Sequence, residues 1–360
     1  MKQRVTLKDI AQAAGVSTNA VSFVLHNTST NVRVAPATAE RIKRLAVELG
    51  YRSNREARVL IAQRFNKRVP FHLIALFINA GTENGNFIID PFFSKYILGV
   101  LSESNQAGTD VVLCHANRGQ VPSLIAEERV DGIISLVSHP LFEQISQHDL
   151  PMVAVGHTIA ESLQGAMYNI TADSIDGFRQ TTRHLIELGH RKIAYLGQVL
   201  DFPEATLRFQ GYSQELEGHG LPWIPAWHET SITIQSPVAG AEAMARMLAR
   251  DPSYRASGRP AFTAVVCYND TLAIGALRHL QSCGLRVPAD VSLVGYDDIS
   301  MELGSSLPLT SVAYDRYTMG VRAVDIISQT CMLTGEEKPA PCQEVMPVTL
   351  AVRESTAPPK

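Results

Sequence analysis

GVSTNAVSFVLH, residues 15–26, holds a glycine, a serine and then nine residues with a helical repeat. Val21, Val24 and Leu25 fall on one side of a 3.6-residue period with Ala20 beside them, while Thr18, Asn19, Ser22 and His26 fall on the other. Phe23 lies on that polar side, where a bulky ring is out of place. Just upstream, TLKDIAQAAG (6–15) offers Thr6 as an N-cap with Asp9 three residues on. Gly15 suits the left-handed residue that closes a helix, and Ser17 can cap the next one. Two short helices joined by a glycine-containing turn read as a helix-turn-helix. A plain helical hairpin would show the same pattern, so the neighbouring segments must decide.

A third helix is expected in PATAERIKRLAVELG (36–50), with Pro36 in its first turn, Gly50 past its end and no good cap at Ala35. Its Ile42, Leu45, Ala46 and Leu49 form a stripe that packs onto the first two helices. The net charge of −3 conceals a split. Residues 1–68 carry 13 Lys and Arg against 4 Asp and Glu, and the rest of the chain 19 against 31. A basic head on an acidic body points to a polyanion as the head's partner, although charge alone fits a solvated tail equally well.

TLKDIAQAAGVSTNAVSFVLH, TAERIKRLAVELGY and NREARVL, in that order, resemble the headpiece and hinge of the LacI/GalR family of bacterial regulators. The resemblance implies a repressor whose second helix enters the major groove of operator DNA. It implies DNA contacts from Thr6, Ser17, Thr18, Asn19, Ser22, Phe23 and His26. Asn can bridge adenine N6 and N7, and Thr can offer a methyl to thymine. Hinge contacts are implied at Asn54, Ala57 and Arg58, with Leu60 as an apolar wedge in a minor-groove step. Val59, Leu60 and Ile61 would otherwise be core residues opening the next domain. Members of the family commonly have Pro where Ser53 stands, and Arg where Phe23 stands. Phe23 either covers a thymine methyl or folds back on the third helix.

From residue 71, apolar runs alternate with helical stretches. FHLIALFI, DVVLC, DGIISLV, MVAVG, RKIAYLG, FTAVVCYN and VSLVGYDD read as buried parallel strands. FSKYILGVLSESNQAG, SIDGFRQTTRHLIELG and DTLAIGALRHLQSCG read as helices, giving a doubly wound α/β body. The same family resemblance runs through VDGIISLV, GFRQTTRHLIELGHRKIAYLG, YNDTLAIGALRHLQSCGLRVPADVSLVGYDD and YTMGVRAVDII. The fold expected is therefore an all-α helix-turn-helix headpiece plus an α/β two-lobed, periplasmic-binding-protein-like (type I) core. The resemblance divides the chain into a headpiece (1–52), a hinge and linker (53–70) and the two-lobed core (71–355). The N-lobe is expected at about 71–170 and 313–340, the C-lobe at about 171–312 and 341–355.

Ligands of open α/β sheets bind beyond the carboxyl ends of the strands. Arg208, Asn269 and Asp297 follow such ends, and the resemblance implies that they hold the effector. Phe92, Phe93 and Asp173 complete the expected set, one phenylalanine packing in the core and the other free to stack. Asp270 reads as a helix cap and Asp298 as structural. An aromatic that related proteins carry near Gln235 is missing, so no relative's ligand transfers. The partners expected are double-stranded operator DNA, a sugar-like or phosphorylated metabolite and a second copy of the chain, as a homodimer. No membrane contact, metal or cofactor is expected: no apolar run reaches ~18 residues, and the five cysteines are scattered. The cysteines and the lack of a signal segment fit the cytoplasm. An enzyme is disfavoured by the absence of GxSxG and P-loop motifs. A sugar-binding receptor without DNA binding, and a regulator controlled by a protein partner, remain as alternatives.

Overall fold

The computed structural model describes residues 5–26, 33–51, 72–78, 80–83, 86–89, 91–115, 120–333 and 337–360. The hinge residues Asn54, Ala57, Arg58 and Leu60 lie outside them. The chain divides into two compact units, Met1–Val69 and Pro70–Lys360.

Among its described residues the first unit holds three helices: α1 (Leu7–Ala14), α2 (Thr18–His26) and α3 (Pro36–Glu48). Thr6 caps α1 reciprocally: the Asp9 carboxylate accepts the Thr6 N–H at 2.7 Å, and Thr6 Oγ1 accepts the Asp9 N–H. Gly15 stands at φ 62°, and Ser17 Oγ accepts the Ala20 N–H at 3.2 Å to start α2. Ile10, Ala11, Ala14, Val21, Ile42 and Ala46 form the core, with Val24, Leu25 and Leu45 against it. Leu49, expected at the end of the α3 stripe, is instead 41% exposed. The helix ends at Glu48, so Leu49 is its C-cap and turns off the buried face.

Among its described residues the second unit contains two six-stranded sheets. The first runs β13–β7–β6–β5–β1–β4, with all neighbours parallel. Its strands are β1 (Leu73–Ile78), β4 (Asp110–His115), β5 (Gly132–Ser135), β6 (Met152–Val155), β7 (Tyr168–Ala172) and β13 (Gln343–Met346). A separate hairpin pairs β2 (Ala80–Glu83) with β3 (Asn86–Ile89). The second sheet runs β14–β12–β11–β10–β8–β9 and is parallel except for β14. Its strands are β8 (Ile193–Gln198), β9 (His228–Ile232), β10 (Ala264–Cys267), β11 (Ser292–Tyr296), β12 (Thr310–Ala313) and β14 (Thr349–Ala351). Apolar runs such as IIS, MVAV and AVVC are buried throughout, because helices cover both faces of each sheet.

The chain passes between the sheets three times. After β7, the helix Ser174–Glu187 puts Phe178, Leu185 and Ile186 under the second sheet. After β12, the helix Arg316–Thr330 returns Met319, Ala323 and Ile327 to the first. The third passage lies between Met346 and Thr349, which corrects the expected boundary near residue 340. Gln343–Met346 pairs in parallel with Asn169–Ala172, so this stretch is an edge strand of the N-lobe, not part of the C-lobe. Only alternate residues of QEVM are half-buried, which leaves no apolar run to announce it.

Each lobe closes on a pair of helices that approach through glycine. In the C-lobe, a Cβ on Gly275 would stand 2.0 Å from the Pro237 carbonyl, and one on Gly240 2.3 Å from the Leu272 carbonyl. Gly99 and Gly320 play the same part in the N-lobe, against the Tyr317 and Tyr96 carbonyls at 2.1 and 2.3 Å. Replacing Gly275 with Ala should force Pro237–Arg250 away from Asp270–Ser282 and lower the unfolding free energy by about 1–3 kcal/mol. Urea denaturation checks this, and an unchanged midpoint would refute the close approach.

Candidate functional site

The carboxyl ends of β6, β8, β10, β11 and β12 converge where the lobes meet, and charged and aromatic side chains gather there. Arg208, on the helix Pro203–Gly218, is only 6% exposed. Its guanidinium lies 4.2 Å from the Tyr268 ring and 4.0 Å from the Tyr296 ring. Nη1 donates to the Tyr268 carbonyl at 2.7 Å, and Nη2 stands 3.7 Å from the Asp297 carboxylate. Among the described residues its Nε has no partner. A buried cation needs such company, because an uncompensated one loses its hydration without replacement.

Asp297 holds the other side of the pair. It is 4% exposed and accepts a hydrogen bond from the Tyr314 hydroxyl at 3.0 Å. Its φ is 93° and that of Asp298 is 51°, two successive left-handed residues that carry Cβ atoms. Each costs roughly 1–2 kcal/mol of backbone strain. The Asp298 carboxylate turns outward to Arg353, 2.6 Å away, and takes a structural role as expected.

Asn269 caps the helix Asp270–Ser282, its Oδ1 accepting the Leu272 N–H at 3.0 Å. Its Nδ2 donates to Gln235 Oε1, and Gln235 Nε2 donates to Gln198 Oε1 at 3.1 Å. A chain of amides thus follows the ends of β8, β9 and β10, with Gln235 standing where an aromatic was missed. Asp270, expected as the cap, is not: Asn269 takes that place, and the Asp270 carboxyl points to the next loop, accepting the Ile299 and Ser300 N–H groups.

Phe92 and Phe93 lie in a single helical turn, Pro91–Phe93, half-buried and edge-to-face at 5.2 Å. Phe92 also meets Tyr96 edge-on at 5.5 Å, and both phenylalanines pack on the N-lobe core. The fully buried Arg316 ties this turn to the other lobe. Its Nη1 donates to the Phe92 carbonyl at 3.2 Å and its Nη2 to the Asp298 carbonyl at 3.5 Å. Asp173 caps the helix Ser174–Glu187 through the Asp176 N–H at 2.9 Å, and its own N–H donates to the Met346 carbonyl. It therefore braces two passages between the lobes.

Arg208 and Asp297 meet directly, Asn269 adjoins them through Tyr268, and Phe92 joins through Arg316. Sequence reasoning missed Gln198, Glu204, Tyr268, Tyr296, Tyr314 and Arg316. Glu204 accepts from Ser174 Oγ at 3.0 Å and from Thr158 Oγ1 of the N-lobe. Only its place in the first turn of the helix that carries Arg208 could have flagged it. In the headpiece, Ser17 just before α2 and Thr18 and Asn19 on it are exposed, and Ser22 and Phe23 are half-exposed. Phe23 is not among the side chains packed on the headpiece core.

Donors, acceptors and ring faces dominate the lobe junction, as in recognition of a polar molecule. No three metal-ligating side chains cluster among the described residues, and no helix there is long and apolar enough to cross a membrane. A helix-turn-helix DNA-binding headpiece joined in one chain to a two-lobed ligand-binding core defines a transcriptional regulator. A family of bacterial regulatory proteins, the lacI family, matches residues 6–54, and a periplasmic binding protein-like domain matches residues 182–356. The chain is 31% identical to the HTH-type transcriptional regulator CelR of Thermobifida fusca, over 98% of this chain and 99% of that one. It is 32% identical to the HTH-type transcriptional repressor PurR of Vibrio atlanticus, over 92% and 94%. Among solved structures, a Lac repressor dimer bound to operator and the anti-inducer ONPF superposes with a TM-score of 0.74 at 27% identity, covering 99% and 100%. A CelR–cellobiose complex gives 0.65 at 29% identity, covering 98% and 100%. The chain belongs to the LacI family of transcriptional regulators.

Burial at this junction makes stability depend on pH. His157 is pushed down to about 4 by burial, as is His228 deeper in the C-lobe. Each is neutral in the folded chain and protonated in the unfolded chain between pH 4 and 6.5, so acid lowers stability across that window. Asp270, pushed up to about 7 by burial, works in the opposite sense from pH 7 down to about 4. Asp270→Asn should therefore steepen the loss of stability between pH 6.5 and 4.5 by about one proton, on the order of 1.4 kcal/mol per pH unit. Urea titrations at several pH values measure it, and parallel curves for the two proteins would contradict it.

Proposed function

We propose that this regulator binds a near-palindromic operator as a homodimer and that an uncharged polyhydroxyl compound of the sugar class, bound where the lobes meet, sets its operator affinity. The Arg208–Asp297–Tyr314 constellation carries the effector reading. Its fork, carboxylate and hydroxyl suit the alternating donors and acceptors of a sugar, and the buried Tyr268 and Tyr296 rings hold the fork in place. Charge favours a neutral ligand. The buried Arg208 guanidinium is already matched by the Asp297 carboxylate with Glu204 close by, and Arg316 is bound to two carbonyls, so neither fork is turned to a phosphate. The CelR–cellobiose complex is consistent with this class. A thermal-shift panel of mono- and disaccharides, nucleosides and sugar phosphates checks the reading. A neutral sugar should raise the melting temperature of the full chain and not that of Arg208→Ala. A response confined to phosphorylated compounds would refute the class, and no response at all would turn the reading toward a protein co-regulator.

Dimerisation is ascribed to an exposed N-lobe patch. Leu98 and Leu101 lie one helical turn apart on Ser94–Gln106, and Leu113 lies on the adjoining edge strand β4. Exposed apolar groups this close suit a second copy of the same face, and the Lac repressor neighbour is a dimer. Two heads then read two half-sites, with Thr18, Asn19, Ser22 and Phe23 in the groove and Leu60 as the minor-groove wedge. Acting on DNA places the protein in the cytoplasm. In gel shifts with a selected operator, Leu60→Ala should weaken specific binding at least tenfold more than nonspecific binding. Leu98→Glu should sediment as a monomer and lose the specific complex. Selection should return A·T at the pair facing Phe23. Equal losses for Leu60→Ala on both DNAs, or a guanine preference abolished by Phe23→Ala, would overturn the respective contact.

A further inference from the structure

Asp270 is fully buried, yet its carboxylate does not cap the helix it opens; Asn269 does that. Its Oδ2 instead accepts the backbone N–H groups of Ile299 and Ser300 at 2.8 and 2.9 Å, in a segment 29 and 30 residues further on. Its Oδ1 accepts the Ser311 hydroxyl at 2.7 Å, and Ser311 Oγ in turn accepts the Asp298 N–H at 3.1 Å. Three successive amides, those of residues 298, 299 and 300, therefore end on Asp270 directly or through one hydroxyl. The space for this carboxylate is left open by Gly295, where a Cβ would fall 1.9 Å from Oδ1.

We infer that Asp270 is a positioning residue for the effector site, gripping the turn so that Asp297 stays in the left-handed backbone from which its carboxylate reaches Arg208 and Tyr314. The inference rests on the effector reading of that cluster. Asp297 and Asp298 are consecutive residues with positive φ and ordinary side chains. Such a pair persists only where its surroundings over-determine it. On one side the Asp297 N–H is fixed by the Val312 carbonyl at 3.0 Å. On the other side, the bonds to the amides of residues 298–300 come from Asp270 and its relay. Without them the turn is free to relax toward negative φ, which swings the Asp297 side chain off its two partners.

Crystal structures of the full-length chain, grown without ligand, test the positioning separately from any sugar. Asp270→Asn keeps an oxygen for the two amides and offers its NH2 group to Ser311, so Asp297 should retain its positive φ and its bond to Tyr314. In Asp270→Ala, Asp297 or Asp298 should leave the left-handed region and the Asp297–Tyr314 bond should break. Should Asp270→Ala fail to fold, Ser311→Ala, which removes the relay and one bond to Asp270, should displace Asp298. An unmoved turn in Asp270→Ala, or in Ser311→Ala where that is the variant available, overturns the inference. So does equal displacement in Asp270→Asn, because conserving the oxygen would then restore nothing. A silent sugar panel with a displaced turn would refute the effector reading alone.

Discussion

The junction between the lobes depends on one buried cation. Arg208 has given up water for two tyrosine rings, a carbonyl and a carboxylate, and none of these comes from its own helix. Tyr268 leads into the helix Asp270–Ser282, Tyr296 ends β11, and Asp297 begins the turn after it. The strands must therefore stop in register for the guanidinium to be matched. Parallel pairing of β10 with β8 and β11 supplies that register, with Val266 opposite both Tyr195 and Val294. A misfit would leave a buried charge without its partners, a penalty of several kcal/mol.

The same economy explains why strain is tolerated beside it. A left-handed pair of aspartates is an unfavourable way to leave a strand, and glycine at 297 would remove the penalty while also removing the carboxylate. Retaining a side chain there makes sense only if that carboxylate is needed, and its two partners, Arg208 and Tyr314, say for what. Strain, buried charge and the buried Asp270 carboxyl are three faces of one arrangement.

Periodicity made much of this legible. The apolar runs from DVVLC to VSLVGYDD became strands, because strands buried on both faces need no alternation. The short polar-edged strands were not legible in that way. Gln343–Met346 and Thr349–Ala351 lie at sheet edges, half solvated, and carry no run to detect. At the site, Arg208, Asn269 and Asp297 could be named because they follow strand ends. Tyr296 is the last residue of its strand and Tyr268 follows directly on its own, and nothing in spacing shows that a ring face is turned to a guanidinium. Arg316 opens a helix, and no periodicity marks it as buried between the Phe92 and Asp298 carbonyls of the two lobes.

That closure also bounds what an effector must do. Among the described residues, the lobes are bridged by Thr158 to Glu204, by Lys95 and Glu302 at 3.7 Å, and by Arg316 to carbonyls on both sides. A hydrogen bond of this kind contributes about 0.5–1.5 kcal/mol net, and the exposed ion pair less than about 1 kcal/mol. Coupling between a ligand and a distant site is typically about 1–3 kcal/mol. A ligand that remakes two or three of these bridges in only one lobe arrangement would supply that amount. Because binding equally to both arrangements shifts nothing, the bridges that differ between them determine whether a bound effector releases the operator or secures it.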